Sequence, residues 1–368
     1  MKRKVKCYSG IGGQAVLEGI MMKNQEKYAV AVRKPNGEIA IELENHQGLM
    51  HGSKVKEFPF IRGVVNFIDS FMLGMKCLNY SASFYEEDDT ESKKNEKASK
   101  EAKVETAEVP ETSEENEIAA VTENVIETAE AAPAKKTSSA AGEGAGEKVV
   151  TTLVTLCSIA LAIGIFIVLP YYLSSLIEKK IALQNTSLLA IIEGVIRIAI
   201  FVLYVCAISL MKDIRRLYQY HGAEHKCINC IEKGRPLTVH NVMRSSRLHK
   251  RCGTSFIFFV MIVSIVLFFF IQVENPIQRV ALRLLLLPVV AGISYEIIRL
   301  AGRSDNILVR IISAPGMLIQ RMTTKEPDKE MAEVAIAAVE AVFDWKKFLL
   351  DNYGYNVDET WMEEETDE

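Results

Sequence analysis

Residues 254–273 read TSFIFFVMIVSIVLFFFIQV, and this stretch decides the fold class. No charge interrupts it from Thr254 to Val273. It is long enough to cross a hydrocarbon core, which takes about 20 apolar residues in helical form. Working outward, three more segments have the same character: Val149–Ile177, Thr186–Met211 and Ile277–Leu300. The first of these is also free of charge and carries Pro170 and Tyr171-Tyr172 near its far end, a fit to an interfacial aromatic belt. The other two hold ions: Glu193 and Arg197 in one, Arg279, Arg283, Glu296 and Arg299 in the other. Four buried helices of a large soluble core are the competing reading, and uninterrupted apolar runs of this length favour the bilayer. The averages, 49% hydrophobic and 24% charged with a net charge of -4, hide this segregation. The expected fold is a polytopic α-helical membrane protein with about four transmembrane helices and a small β-containing N-terminal cytoplasmic module.

Orientation follows from the loops. Between the second and third spans lie Lys212, Arg215, Arg216, Lys226, Lys233, Arg235, Arg244, Arg247, Lys250 and Arg251, opposed only by Asp213, Glu224 and Glu232. Such a basic loop, 212–253, is expected on the cytoplasmic side. Both termini are then cytoplasmic, and the protein is expected as a multi-pass component of the cell inner (cytoplasmic) membrane. The short acidic connection Gln272–Gln278 fits an outer loop; Lys179 and Lys180 beside the other outer loop are a mild contradiction. The N-terminus is polar and glycine-rich, so no signal peptide is expected. None of the seven cysteines falls in an outer loop, so disulfides are not expected.

Five regions are expected. Residues 1–57 form a small soluble β-containing module: Lys27–Lys34 and Glu38–Glu44 alternate in polarity around Pro35-Asn36-Gly37, a hairpin signal. Residues 58–85 have apolar residues at helical spacing, broken by Arg62, Asp69 and Lys76, and fit an amphipathic helix lying in the membrane interface or packed against the spans. Residues 86–148 are rich in Glu, Ala, Lys, Thr and Ser and read as a disordered acidic linker. Residues 149–310 are the four-helix membrane domain with its basic loop. Residues 311–368 are a C-terminal cytoplasmic helical segment and acidic tail.

The candidate chemistry sits in the basic loop, at His221-Gly-Ala-Glu224-His225. On a helix the two histidines at i and i+4 share one face, a spacing a metal ion can use. A second knot, His249-Lys-Arg-Cys252-Gly-Thr-Ser255, ends the same loop. His221, His225, His249 and Cys252 are therefore the candidate metal ligands, for zinc or another divalent metal. Glu224 is the candidate general base or orienting carboxylate. Cys227 and Cys230 offer a C-x-x-C pair that could instead complete a structural site. Lys226 reads as a solvated cation. The run Gly12-Gly13-Gln14-Ala15-Val16-Leu17-Glu18-Gly19-Ile20-Met21-Met22 is the second unusual feature, with Gln14 and Glu18 as its polar groups. It fits either a tight turn or a site, and Glu18 is the second candidate catalytic carboxylate.

These motifs, with Arg62-Gly63-Val-Val, Tyr220-His-Gly-Ala-Glu-His-Lys226, Arg251-Cys-Gly-Thr-Ser-Phe256 and Pro315-Gly-Met-Leu-Ile-Gln320 leading to Thr323-Thr-Lys-Glu-Pro327, resemble the YqhQ family. That is a bacterial family of membrane proteins for which a metal-dependent enzyme activity is predicted. The resemblance spans the chain except 86–148 and points at Gln14, Glu18, His221, Glu224, His225, His249, Cys252 and the Thr323-Thr324 region. Where the family usually has Pro after the position of His249, this chain has Lys250, which weakens a ligand role for His249.

Two functions stay open on these grounds. One is a metal-dependent hydrolase at the cytoplasmic face. The other is a non-enzymatic membrane assembly or interaction factor, with a structural His/Cys knot and a membrane or cytosolic protein partner. A transporter built on Glu193, Arg197, Glu296 and Arg299 has less support, because no internal repeat is visible. The lipid bilayer is the expected surrounding, a membrane or cytosolic protein is the candidate partner, and no nucleic acid is expected, since topology accounts for the basic loop.

Overall fold

The computed structural model describes residues 7–50, 52, 53, 58, 61–104, 145–181, 186–271, 273, 275–303 and 306–354. The chain divides into two compact units, Met1–Asp88 with Gly164–Glu368, and Asp89–Ile163.

The N-terminal module is a four-stranded antiparallel sheet in the order β1 (Gly12–Val16), β2 (Gly19–Asn24), β3 (Lys27–Arg33) and β4 (Ile39–Asn45). The Pro35-Asn36-Gly37 signal does turn β3 into β4: Gly37 takes φ +89°, and the Gly37 amide donates to the Lys34 carbonyl at 2.9 Å. The glycine-rich run is a second hairpin, β1–β2, turning at Leu17-Glu18, with Glu18 at φ +48°. Gly19 has a packing reason: a Cβ there would lie 2.4 Å from the Ala31 carbonyl oxygen on β3.

The central strands β2 and β3 are buried on both faces, so β3 is more buried than its alternating pattern implies. Ile20, Met22, Ala29 and Ala31 face a core shared with α5 (Lys212–Glu232) and α10 (Lys329–Val342). Val16, Met21, Tyr28, Val30 and Val32 face Leu73 and Cys77 of α1 (Ile61–Val104).

Three charged residues of helix α1 contact neighbouring elements. Arg62 binds both carboxylate oxygens of Glu296, with Nε at 2.6 Å. Asp69 meets His46 at 2.8 Å and the Leu49 amide at 2.9 Å. Lys76 pairs with Glu44 and reaches the Tyr28 hydroxyl at 2.9 Å. The charges that interrupt the apolar spacing of 58–85 are thus the contacts that seat the helix. Phe67, Ile68, Phe71, Met72 and Met75 are left exposed. The helix runs on to Val104; the rest of the expected linker, 105–144, and the acidic tail from 355 lie outside the described residues.

Four helical stretches among the described residues are long and apolar enough to cross a membrane: Leu153–Lys180, Leu188–Ile208, Gly253–Phe270 and Ile277–Leu300. The first runs through α2 (Ala145–Ile163), a π-helical turn (Gly164–Val168) and α3 (Leu169–Ile181). The others belong to α4 (Thr186–Ile208), α7 (Gly253–Phe270) and α8 (Pro276–Arg303). Helix α9 (Ile307–Thr323) packs along α7. Their ions find partners within unit one. Glu193 pairs with Arg197 at 2.9 Å, as the i,i+4 spacing implies, and also takes Arg283. Glu296 is claimed by Arg62, with Arg299 at 3.8 Å.

The basic region 212–253, expected as a loop, is largely helical. Met211 is extended at the N-cap of α5, so the second span does not continue straight into it. After α5 come a short α6 (Val239–Met243) and a coil that delivers His249 and Cys252 to the start of α7. Helices α10 and α11 (Trp345–Tyr353) close the core that the sheet shares with α5.

Candidate metal centre

Helix α5 carries His221, Glu224 and His225 on the face that meets β1 and the start of α7. What seats this face is Gly222. A Cβ there would lie 2.0 Å from the Lys325 carbonyl oxygen, because the Thr324–Pro327 segment crosses directly over the helix. The Lys325 amide donates to the Tyr218 carbonyl at 2.8 Å. This crossing delivers the Thr323 carbonyl to His221.

Both histidines are held through Nδ1. His221 Nδ1 donates to the Thr323 carbonyl at 2.9 Å, and His225 Nδ1 to the Arg247 carbonyl at 2.7 Å. A carbonyl only accepts, so in each case Nδ1 carries the proton and Nε2 is left to face inward. His221 Nε2 lies 3.1 Å from Cys252 Sγ. The two rings are 4.4 Å apart between centroids. One donor atom from each of His221, His225 and Cys252 lies within 4.8 Å of the others, so the three form a group that could hold a metal ion. Cys252 is the N-cap of α7, where backbone N–H groups favour a thiolate. Its sulfur also contacts the Thr254 hydroxyl at 3.1 Å.

The electrostatics agree with the geometry. Burial works to raise the Cys252 pKa, but His221 and His225 beside it hold the thiol well below its ordinary value. Burial works to lower the His221 pKa, but the Cys252 sulfur pushes it up to about 9. Glu224 is buried, and burial raises its carboxyl pKa against the pull of His225 and His221. Its Cγ sits 3.0 Å from where a Cβ on Gly13 would be, and the Gly13 backbone hydrogen-bonds to it. Gly13 of the glycine-rich run therefore serves the site by letting β1 close over Glu224.

The remaining sequence candidates go elsewhere. His249 is not one of the three grouped donors: its ring centroid is 5.6 Å from that of His225, but its Nε2 lies 3.7 Å from Glu232 and 3.2 Å from Arg251. Burial lowers its pKa to about 4, against a raising contact from Glu232. Glu18 pairs with Arg216 and accepts from the Tyr220 hydroxyl at 3.1 Å, so it braces α5 against the β1–β2 turn. Gln14 lies against Gly74 of α1. Cys227 and Cys230 are buried on the sheet side of α5, in the core with α10. Lys226 is a correction to the sequence reading. It is only 3% exposed and donates to the Met243 and Ser245 carbonyls at 2.8 and 2.9 Å, so it is a structural clamp.

Two supports carry no local sequence signal. The Arg247 carbonyl is a backbone group that any residue would supply. Gln320 is fully buried, accepting from the His249 amide at 2.9 Å and donating to the Ser255 hydroxyl at 2.7 Å. Only its place in the family motif points to it.

The model of the family described as "Protein of unknown function (DUF1385)" matches residues 58–345. The chain belongs to this family. It is also 33% identical over 334 residues to "Uncharacterized protein YqhQ" of Bacillus subtilis (strain 168), covering 90% of this chain and 92% of that one. The YqhQ resemblance read from the motifs is thereby established. No solved structure matches the chain.

The donor set fits a borderline divalent ion. Two imidazole nitrogens and one thiolate are the ligand types zinc takes, and three protein ligands are the number at which catalytic zinc sites keep a further position open. The carbonyl-anchored Nδ1 atoms are the outer-shell contacts that ligating histidines usually make.

Proposed function

We propose that this is an integral protein of the cytoplasmic membrane that holds a divalent metal, most simply zinc, between His221, His225 and Cys252 on the cytoplasmic side, and that the site serves a hydrolase. One observation carries the reading: both imidazoles are locked by Nδ1 onto backbone carbonyls, Thr323 and Arg247, with their other nitrogens turned toward the Cys252 sulfur. A structural core histidine has no need of that convergence. When bound, the ion supplies Lewis-acid polarisation of a substrate oxygen.

The chain's own groups supply the rest. Glu224 is a buried carboxyl beside the group, with its pKa raised by burial, which suits it to hold a proton there as a general acid or base. Arg247 contributes its carbonyl to His225, and its guanidinium is tied to Glu326 at 3.4 Å and to the Thr324 carbonyl. Glu18 is a positioning residue in this scheme, since it contacts Arg216 and Tyr220 and not the donor group. The orientation rests on the basic side chains of 212–253, which put α5, the sheet and both termini in the cytoplasm.

A second reading has its own support. Cys252 and His225 are buried, with His221 only partly open, as in a closed structural site. It makes the protein a non-enzymatic assembly or interaction factor that binds a membrane or cytosolic protein. Elemental analysis of the purified full chain tests the shared premise. The expected result is about one metal per chain, lost in His221→Ala, His225→Ala and Cys252→Ala, with the double histidine variant no worse than either single. Arg215→Ala, exposed on the same helix, is the control. Full metal content in both single histidine variants would end the metal reading. A closed four-ligand shell by X-ray absorption would favour the structural version.

A further inference from the structure

A second built feature lies among the candidate spans. A cavity of about 380 Å³ opens between α4, α7, α8 and the π-helical turn. Its wall is apolar except at one end, where Arg197, Ser264 and Arg283 line it. Along α7 it runs from Phe268 to Ile257, a stretch of about 16 Å at helical rise.

The charged end is unbalanced. Glu193 is fully engaged, with Arg197 at 2.9 Å, Arg283 Nη2 at 2.6 Å, and Arg283 Nη1 also paired to it. Two guanidinium groups therefore share one carboxylate, leaving one net positive charge among buried side chains. Each nitrogen of Arg197 has a partner: besides Nη2 on Glu193, Nε donates to the Phe166 carbonyl at 3.0 Å and Nη1 to the Ser264 hydroxyl at 3.2 Å. Phe166 belongs to the π-helical turn, Gly164–Val168. Such turns recur at functional sites because they re-register the backbone ladder. Arg283 has not used all its donors. Its side chain is 7% exposed, and its Nε is buried without a hydrogen-bond partner among the described residues. Its guanidinium leans over the Phe268 ring at 5.3 Å. An uncompensated cation at this depth is costly and calls for an anion.

Glu193 lies seven residues along α4 from Thr186, and Arg283 seven along α8 from Pro276. Both are then about 10 Å from the same ends of their helices, the outer ends in the proposed orientation. A smaller cleft, lined by Glu193, Arg279 and Arg283, leads from the cluster toward those ends. The cationic end and the apolar groove thus have the polarity of a lipid standing in the outer leaflet.

We propose that this cavity binds an acid-headed lipid, with its carboxylate or phosphate against Arg283 and Arg197 and one apolar tail along α7 toward Ile257. The proposal rests on the membrane placement proposed above and is independent of the metal. The test uses the full chain in phosphatidylcholine nanodiscs, with three probes of one tail and different heads: oleate, oleyl phosphate and oleyl alcohol. Occupancy is read by native mass spectrometry. Oleate, oleyl phosphate or both should bind about tenfold or more tighter than oleyl alcohol, the size of a charged hydrogen bond; which acid wins identifies the head. Arg283→Gln should erase the preference for the acid, and Arg283→Lys should keep most of it. Val260→Trp, which fills the tail groove and leaves the ions alone, should block all three probes. Equal binding of alcohol and acids, unchanged preference in Arg283→Gln, or full binding in Val260→Trp would overturn the proposal. Release of the chain from membranes by alkaline carbonate would instead overturn the membrane placement.

Discussion

Gly222→Ala is the sharpest test of how the candidate metal centre is assembled. The added methyl group would lie 2.0 Å from the Lys325 carbonyl oxygen, where side-chain contacts keep at least about 3.0 Å, so the crossing segment must retreat by about 1 Å. The obstacle is backbone, so no rotamer change relieves it. A retreat of that size lengthens the 2.8 Å bond from the Lys325 amide to the Tyr218 carbonyl beyond hydrogen-bonding range, a loss of about 1 kcal/mol. Overpacking adds about 1–3 kcal/mol. The same movement draws the Thr323 carbonyl away from His221 Nδ1, now 2.9 Å distant. Loss of such an outer-shell bond costs about 10–100-fold in metal affinity. Chelator competition on the purified chain reads the affinity, and thermal unfolding at one scan rate reads the stability. Gly253→Ala is the control: it adjoins Cys252, yet a Cβ there meets nothing within 4 Å. Wild-type affinity and unfolding midpoint in Gly222→Ala would refute the claim that the crossing segment orients His221.

Further outcomes follow from particular contacts. Lys226→Met should lower stability by about 1–3 kcal/mol, because it strands the Met243 and Ser245 carbonyls in the interior, and an unchanged midpoint would show that the clamp is idle. His249 has a folded pKa of about 4, below its ordinary 6.5, so the unfolded chain binds the extra proton between those values. Its contribution is therefore complete above pH 6.5 and is lost as the pH falls through 4; His249→Gln should flatten the unfolding midpoint across that window, and an equally steep profile would assign the acid sensitivity elsewhere. A cysteine at Arg235, exposed at the end of α5, should resist an impermeant maleimide in intact cells and react after lysis, in a chain with the exposed Cys157 and Cys206 replaced by serine. Labelling from outside would reverse the proposed topology.

Much of this protein was legible before folding was considered, because the signals are local. Length and the lack of charge mark four apolar stretches, since transfer into hydrocarbon depends on the segment itself. Pro35-Asn36-Gly37 sets the β3–β4 turn because positive φ is a property of the residue. The i,i+4 spacing of His221 and His225 puts both rings on one side of α5 for the same reason. The sequence also brought Cys252 into the ligand list, though spacing alone could not rank it above His249.

Tertiary structure places the two differently, and the reason is electrostatic and steric. Glu232 and Arg251 engage the His249 Nε2, while Cys252, at the first turn of α7, falls beside His221 thirty-one positions away in sequence. The same holds for Lys226, whose partners are backbone carbonyls of a distant turn, and for Arg62, which leaves its own segment to bind Glu296. A carbonyl at Thr323 or Arg247 carries no side-chain signature at all. Such contacts are fixed by which surfaces meet, and that depends on the packing of α5 among the sheet, α6 and α10, not on any pattern within one stretch of chain.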